Sequence, residues 1–184
     1  MDPMQSKWDE RYRGRGAGEA APAAVLSAAL SSLHPPGLAL DLACGLGANA
    51  IALARRGFRV DAWDLSPVAI QSLREVVARE GLAVAAAVRD VIAAPPPPAS
   101  YDLIVVARFL ERRLCPAIAA ALRPEGLLLY QTFYGPSTGS GPSDPAFRLG
   151  NRELPRLFAG LDLLDYREES ATGEAWLIAR RGGG

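Results

Sequence analysis

The chain has 184 residues, 49% of them hydrophobic and 22% charged, and its formal net charge is zero. That length supports one core of ordinary size, and the even charge balance gives no overall electrostatic footprint for nucleic acid. Cys44 and Cys115 stand alone, without metal-ligand spacing, which argues against a disulfide framework and against a metal site. No run reaches the roughly 20 apolar residues of a membrane span, and the N-terminus lacks the apolar centre of a signal peptide, so a cytoplasmic protein is expected.

Residues 1–21 are polar and hold three closely spaced glycines, Gly14, Gly16 and Gly18. They read as a short Trp8–Tyr12 turn followed by a flexible stretch. Pro22 opens an alanine-rich helix that runs to about Leu33, and His34-Pro-Pro-Gly37 ends it. Strands and helices then alternate. Leu38–Leu42 is an apolar strand, and Ala48–Arg56 a helix stopped by Gly57. Phe58–Trp63 is the second strand. Ser66 and Pro67 form an N-cap and first-turn pair, Ile70, Leu73 and Val77 share one helical face, and Gly81 closes that helix. Leu82–Val88 is the third strand. The link from Asp90 to Tyr101 contains Pro95–Pro98, so a reduced crossover with one short turn is expected in place of a helix. Leu103–Ala107 is apolar throughout, as a strand buried on both faces should be. Leu110–Leu122 reads as a helix weakened by Pro116, and Gly126–Phe133 as the fifth strand. Asn151–Phe158 reads as a short helix capped by Asn151. Leu161–Tyr166 and Ala175–Ala179 read as an antiparallel hairpin.

This order predicts an α/β domain with a Rossmann-like, mostly parallel seven-stranded sheet, an antiparallel C-terminal strand and helices on both faces. Residues 1–184 read as one domain, with 1–21 as a covering segment, 134–148 as a candidate lid loop and Gly182–Gly184 as a disordered tail.

The stretch Leu38-Ala-Leu-Asp-Leu-Ala-Cys-Gly-Leu-Gly-Ala-Asn-Ala50 joins a strand, a turn with glycines at 45 and 47, and a helix start. Such a turn lets a ligand lie against bare backbone. The same glycines satisfy the nicotinamide fingerprint GxGxxA. Three features point elsewhere. Asp41 sits inside the first strand. Asp64 ends the second strand, seventeen residues after Gly47, where a carboxylate can take both ribose hydroxyls. Leu65-Ser-Pro follows without a break.

This set resembles the class I S-adenosylmethionine-dependent methyltransferases. The likeness rests on Leu40–Gly47, Asp61–Ser66, Val88-Arg-Asp90, Tyr101–Val106 and Leu122–Leu128, and spans about residues 38–133. Trp8-Asp-Glu-Arg-Tyr12 and the compact length look like the tellurite-resistance and thiopurine type within that family. The resemblance implies S-adenosyl-L-methionine as cofactor. It implies that Asp41 lies near the methionine ammonium, and that Ala43, Gly45 and Gly47 let backbone approach methionine and ribose. Asp64 would take the ribose hydroxyls, Leu65 would pack on adenine, and Asp90 and Val91 would bind the adenine edge. Ala107 and Arg108 would flank the methyl group, while Trp8, Arg11 and Tyr12 would close over the cofactor.

Methyl transfer needs alignment and exclusion of water more than a base. His34, the single histidine, precedes the first strand and so lies away from the ligand edge. Ala107-Arg-Phe-Leu110 stands where an amino-directed enzyme would carry Asn/Asp-Pro-Pro-Tyr, and two isolated cysteines argue against arsenite methylation. The reading is therefore transfer to a small-molecule acceptor: a thiol, a metalloid oxyanion or a similar soft nucleophile. Arg108, Tyr130 and Tyr134 are the candidate catalytic residues. Arg108, Arg112, Arg113 and Arg148 are candidates to receive an anionic substrate. The expected state is a monomer or homodimer, without membrane, metal or nucleic-acid partner. An RNA or protein methyltransferase, a sensor or scaffold that binds the cofactor without turnover, and a nicotinamide oxidoreductase are the alternatives.

Overall fold

Each parallel strand of this chain is a short apolar run that ends where a turn residue begins, and the computed structural model shows where those ends fall. It describes residues 3–137, 139 and 141–183. The seven strands form one sheet in the order β3-β2-β1-β4-β5-β7-β6, where the labels number the strands in chain order. The chain divides into two compact units, Met1–Pro95 and Pro96–Gly184.

The first unit contains α1 (Pro3–Tyr12), α2 (Ala24–Ala29), β1 (Leu38–Leu42), α3 (Ala48–Arg55), β2 (Arg59–Asp64), α4 (Pro67–Glu80) and β3 (Val84–Val88). Its strands are parallel. Leu42 pairs with Trp63 and Asp64 pairs with Val88, so β1, β2 and β3 end at one carboxyl edge. Helix α4 follows the expected punctuation. The Ser66 hydroxyl accepts the Ala69 N–H, Pro67 sits in the first turn and Gly81 closes the helix in a left-handed conformation. Ile70, Leu73 and Val76 form its buried face. The N-terminal segment departs from expectation. A ten-residue helix replaces the short turn, because its polar residues find tertiary partners that no local pattern records.

The second unit contains β4 (Tyr101–Ala107), α5 (Cys115–Ala121), β5 (Leu122–Phe133), α6 (Glu153–Leu157), β6 (Asp162–Glu169) and β7 (Glu174–Arg180). Strands β4 and β5 are parallel, whereas β7 runs antiparallel to both β5 and β6. Leu103, Ile104, Val105 and Val106 are all buried, as their uniform apolarity requires. No helix separates β3 from β4, and a turn at residues 91–93 stands there as expected. Two local expectations are corrected. Pro116 does not weaken a long helix but opens a shorter one, after a 3-10 turn at Arg112–Leu114. Asn151 does not cap α6. Arg152 holds the cap position in a left-handed conformation, with no side-chain capping bond.

Arg148 organises the segment after β5. It is buried, and its guanidinium donates to the carbonyls of Tyr134, Gly135, Pro136, Pro142 and Gly173. Within the candidate lid 134–148, Arg148 thus holds Tyr134, Gly135, Pro136 and Pro142; Thr138 and Ser140 lie outside the described residues, as does Gly184 of the tail.

Ser66 is fully buried at the start of α4 and serves as its cap. Ser66→Ala should cost about 1 kcal/mol of unfolding free energy, read from the shift of a urea unfolding midpoint at unchanged slope. An unshifted midpoint would show that the cap contributes nothing.

Candidate cofactor and acceptor site

Two buried carboxylates flank the glycine turn. Asp41 points from β1 to the start of α3, where Oδ2 accepts the Ala50 N–H at 3.0 Å and Oδ1 accepts the Asn49 side-chain amide at 3.3 Å. Gly47 holds the cap position of α3 without a side chain, so the strand carboxylate caps the helix instead. Asn49 in turn accepts the Ala23 N–H at 2.9 Å and so ties the approach to α2 to this centre. Asp64 ends β2. Its Oδ2 accepts the Gly45 N–H at 2.8 Å and its Oδ1 accepts the Ser66 N–H at 2.9 Å. Among the described residues neither carboxylate has an arginine or lysine within ion-pair distance. Burial is the first cause that pushes the Asp41 carboxyl up, to about 7, with the Asp64 charge adding to the rise and the two amide donors opposing it. Asp64 is raised as well, again chiefly by burial. Burial also pushes the Cys44 thiol up, which leaves it a poor nucleophile.

The turn itself is tightly filled. Ala43 takes a left-handed conformation at φ 56°, a region that favours glycine. A Cβ on Gly47 would lie 2.5 Å from Leu73 of α4, so its missing side chain makes room for the core. A Cβ on Gly45 would lie 2.8 Å from the Tyr12 hydroxyl. The expected bare backbone is therefore covered at both glycines, by Leu73 and by Tyr12.

Tyr12 reaches the turn because α1 is docked on α4. Asp9 accepts the Ser66 hydroxyl and the Val68 N–H. Trp8 stacks on Tyr12 at 5.9 Å between centroids, and the Arg11 guanidinium lies 5.6 Å from the Trp8 ring. Burial and the Asp64 charge raise the Tyr12 phenol further above its ordinary range. An open groove of about 460 Å³ borders Tyr12, Arg15, Val68 and Glu75, but includes neither Gly45 nor Asp64.

After β3, Asp90 Oδ1 accepts the N–H groups of Ile92 and Ala93, which makes it the cap of its own turn. Val91 is buried beside it and Leu65 is half-buried. Arg89, which the sequence did not single out, holds this turn. Its guanidinium lies 3.8 Å from the Trp63 ring centroid and donates to the carbonyls of Ala94 and Pro95.

Residues 39–126 match a family described as a methyltransferase domain. The match falls on the strands and the glycine turn that carry the resemblance to class I methyltransferases. The chain is 29% identical over 136 residues to a probable S-adenosyl-L-methionine-dependent methyltransferase, TehB, of Haemophilus influenzae, covering 70% of this chain and 47% of that one. It is 35% identical over 136 residues to hemagglutinin 1 of Eikenella corrodens, covering 70% and 45%. The chain thus spans less than half the length of these curated relatives. Its fold matches the crystal structure of Haemophilus influenzae TehB with a TM-score of 0.74 at 24% identity, over 95% of this chain and 67% of that one. It also matches, at 0.76 and 22% over 97% and 93%, a structure described by the conversion of a disulfide bond into a thioacetal group in echinomycin biosynthesis. The fold is therefore the Rossmann-like fold expected from the strand order.

Beyond the glycine turn, the matched stretch continues through β4, and several expectations past that strand need correction. Tyr130 is fully buried, donates its hydroxyl to the Phe109 carbonyl at 2.9 Å and packs 5.5 Å from Phe158. It is a core residue and presents nothing to an acceptor. The Tyr134 hydroxyl bonds to Glu168, which also takes the Tyr166 hydroxyl. Three of the arginines expected to meet an anion are already engaged: Arg112 with Glu153 at 2.5 Å, Arg113 with Glu111 at 3.2 Å, and Arg148 with the carbonyls named above. Arg108 keeps an outward edge; it follows the half-buried Ala107 and pairs through Nε with Glu174. Among the described residues no helix is long and apolar enough to cross a membrane, and no cluster could hold a metal ion.

The raised Asp41 carboxyl has a consequence for stability. The folded, ligand-free protein keeps a proton up to about pH 7 that the unfolded chain releases near 3.8. Folding is therefore favoured at low pH, and stability falls as pH rises across that window. The melting temperature of the ligand-free protein should drop between about pH 4 and pH 7 and level off above that. Asp41→Asn should flatten much of the slope, since a tenfold difference in proton affinity between the folded and unfolded chain is worth about 1.4 kcal/mol. Parallel curves for the two proteins would contradict the assignment.

Proposed function

We propose that the chain is an S-adenosylmethionine-dependent methyltransferase that acts on a small-molecule acceptor with a soft nucleophile, such as a thiol or a metalloid oxyanion. One observation carries this reading: two buried carboxylates, Asp41 and Asp64, flank a glycine turn, and among the described residues no cationic side chain is paired to them. A ligand that brings both positive charge and ribose hydroxyls fits that donor set. When bound, the cofactor supplies an electrophilic methyl group on a sulfonium.

The chain's own residues then have defined tasks. Asp64 holds the ribose hydroxyls through charge-assisted bonds while it keeps the Gly45 turn against β2. Asp41 caps α3 and biases the turn towards a cation. Leu65 and Val91 pack on the base, and Asp90 offers it the carboxylate oxygen that its own turn does not use. Trp8, Arg11 and Tyr12 cover the turn and exclude water, with Tyr12 giving way over Gly45. Ala107 and Arg108 are the residues that the resemblance assigns to the methyl group. A general base has no place in this scheme, since a soft nucleophile is already anionic or nearly so, and alignment supplies the rate. A cytoplasmic setting goes with two free thiols, Cys44 and Cys115.

Calorimetry with S-adenosylmethionine, S-adenosylhomocysteine and NADH tests the cofactor. The first two should bind and NADH should not. Asp64→Ala should weaken S-adenosylmethionine binding by about 1–3 kcal/mol; unchanged affinity would remove the ribose assignment. A turnover screen over thiols, selenite, tellurite, small carboxylates and RNA then reads the acceptor. Turnover on RNA alone, or binding without any turnover, would overturn the small-molecule reading.

A further inference from the structure

Arg108 has an unusual setting. It follows β4 in a left-handed conformation, φ 55°, which a non-glycine residue keeps only where its surroundings over-determine it. Its N–H donates to the Gln131 carbonyl at 2.8 Å. Its Nε donates to Glu174 Oε1 at 2.9 Å, and the Gln131 side-chain amide donates to Glu174 Oε2 at 2.5 Å. The β5–β7 register explains this arrangement. Phe133 pairs with Glu174 and Gln131 with Trp176, so Gln131 and Glu174 are diagonal neighbours on one sheet face. Both oxygens of Glu174 are thus occupied from the β4 and β5 side.

Exposure separates the partners. The Glu174 side chain is 13% exposed and that of Arg108 is 68% exposed. The carboxylate is sunk, and the guanidinium stands outside it. Nε is only one of the five N–H donors of the guanidinium. The two terminal nitrogens of Arg108 take up no partner among the described residues. Arg112 and Arg148 behave differently, since both spend their terminal nitrogens on backbone carbonyls. An arginine gripped by Nε alone presents a planar, fixed fork. That fork matches a carboxylate or an oxyanion in two parallel bonds.

We infer that Arg108 is an acceptor-binding residue, positioned by Glu174 and Gln131, and that the acceptor carries a carboxylate or oxyanion group. The inference rests on the methyltransferase reading and narrows its acceptor class. Glu174 cancels the charge of Arg108, so recognition depends on geometry rather than on net charge. Ligands of α/β sheets bind outside the carboxyl ends of the strands, where β4 and β5 deliver Arg108 and Gln131.

The test compares mercaptoacetate with its methyl ester, two thiols that differ in one negative charge. Each is titrated into the full chain, with and without S-adenosylhomocysteine. The wild-type chain should bind the acid about tenfold or more tightly than the ester. Arg108→Ala should erase that preference. Glu174→Ala should also erase it, although it removes a negative charge, because the guanidinium swings free. Glu174→Gln keeps an oxygen for Nε and should retain most of it. In turnover, Glu174→Ala should raise the KM for mercaptoacetate about tenfold while the affinity for S-adenosylmethionine stays unchanged. Equal binding of acid and ester, no binding of the acid, or tighter acid binding by Glu174→Ala would each overturn the assignment. S-adenosylhomocysteine that fails to bind would remove the methyltransferase reading instead, and the titration without it would still decide Arg108.

Discussion

The Asp64 carboxylate is the interaction on which the candidate site depends. One oxygen takes the Gly45 N–H and the other takes the Ser66 N–H. A single side chain therefore fixes the turn after β1 and the start of α4 at the end of β2. Without it, two buried backbone donors would need other partners. Asp41 performs the matching task one strand away, by capping α3 in place of a side chain at Gly47. Both groups do structural work in the ligand-free protein, yet burial raises both carboxyls above the ordinary range. A site that is costly to ionise when empty, and favoured when a cation arrives, couples binding to stability.

The same economy of groups runs through the second unit. Most of its arginines are committed within the chain: Arg112 to Glu153, Arg123 to Asp102, Arg148 to the carbonyls around β5 and β7. These pairs position backbone and leave little positive charge for an anion to find. The outward fork of Arg108 stands apart because its grip is made by Nε and its backbone alone.

Much of the fold was legible because local signals and tertiary demands coincide. Leu38–Leu42 ends at Ala43 in pattern and in structure alike, since an apolar run must stop where the chain turns left-handed. Helix α4 was readable from Ser66, Pro67 and Gly81, whose chemistry acts within a few residues. The placement of Asp41, Gly45 and Asp64 around one turn was legible for the same reason, as a strand-turn-helix pattern carries its own geometry. What resisted reading depends on partners distant in sequence. Helix α1 is polar and gains its place through Asp9 at Ser66, 57 positions away. Arg108 finds Glu174 at a separation of 66. Tyr130 looked available because it nears the end of β5, but strand alternation alone does not say which face is buried. The cap at Arg152 was unreadable, because asparagine is the usual occupant of such positions and here stands one residue too early.

The most direct measurement is the crystal structure of the chain with S-adenosylhomocysteine. The account predicts both ribose hydroxyls within hydrogen-bond distance of Asp64, and the Tyr12 ring moved from its place over Gly45. A nucleoside bound elsewhere, with Asp64 and Tyr12 arranged as they are in the ligand-free chain, would contradict it.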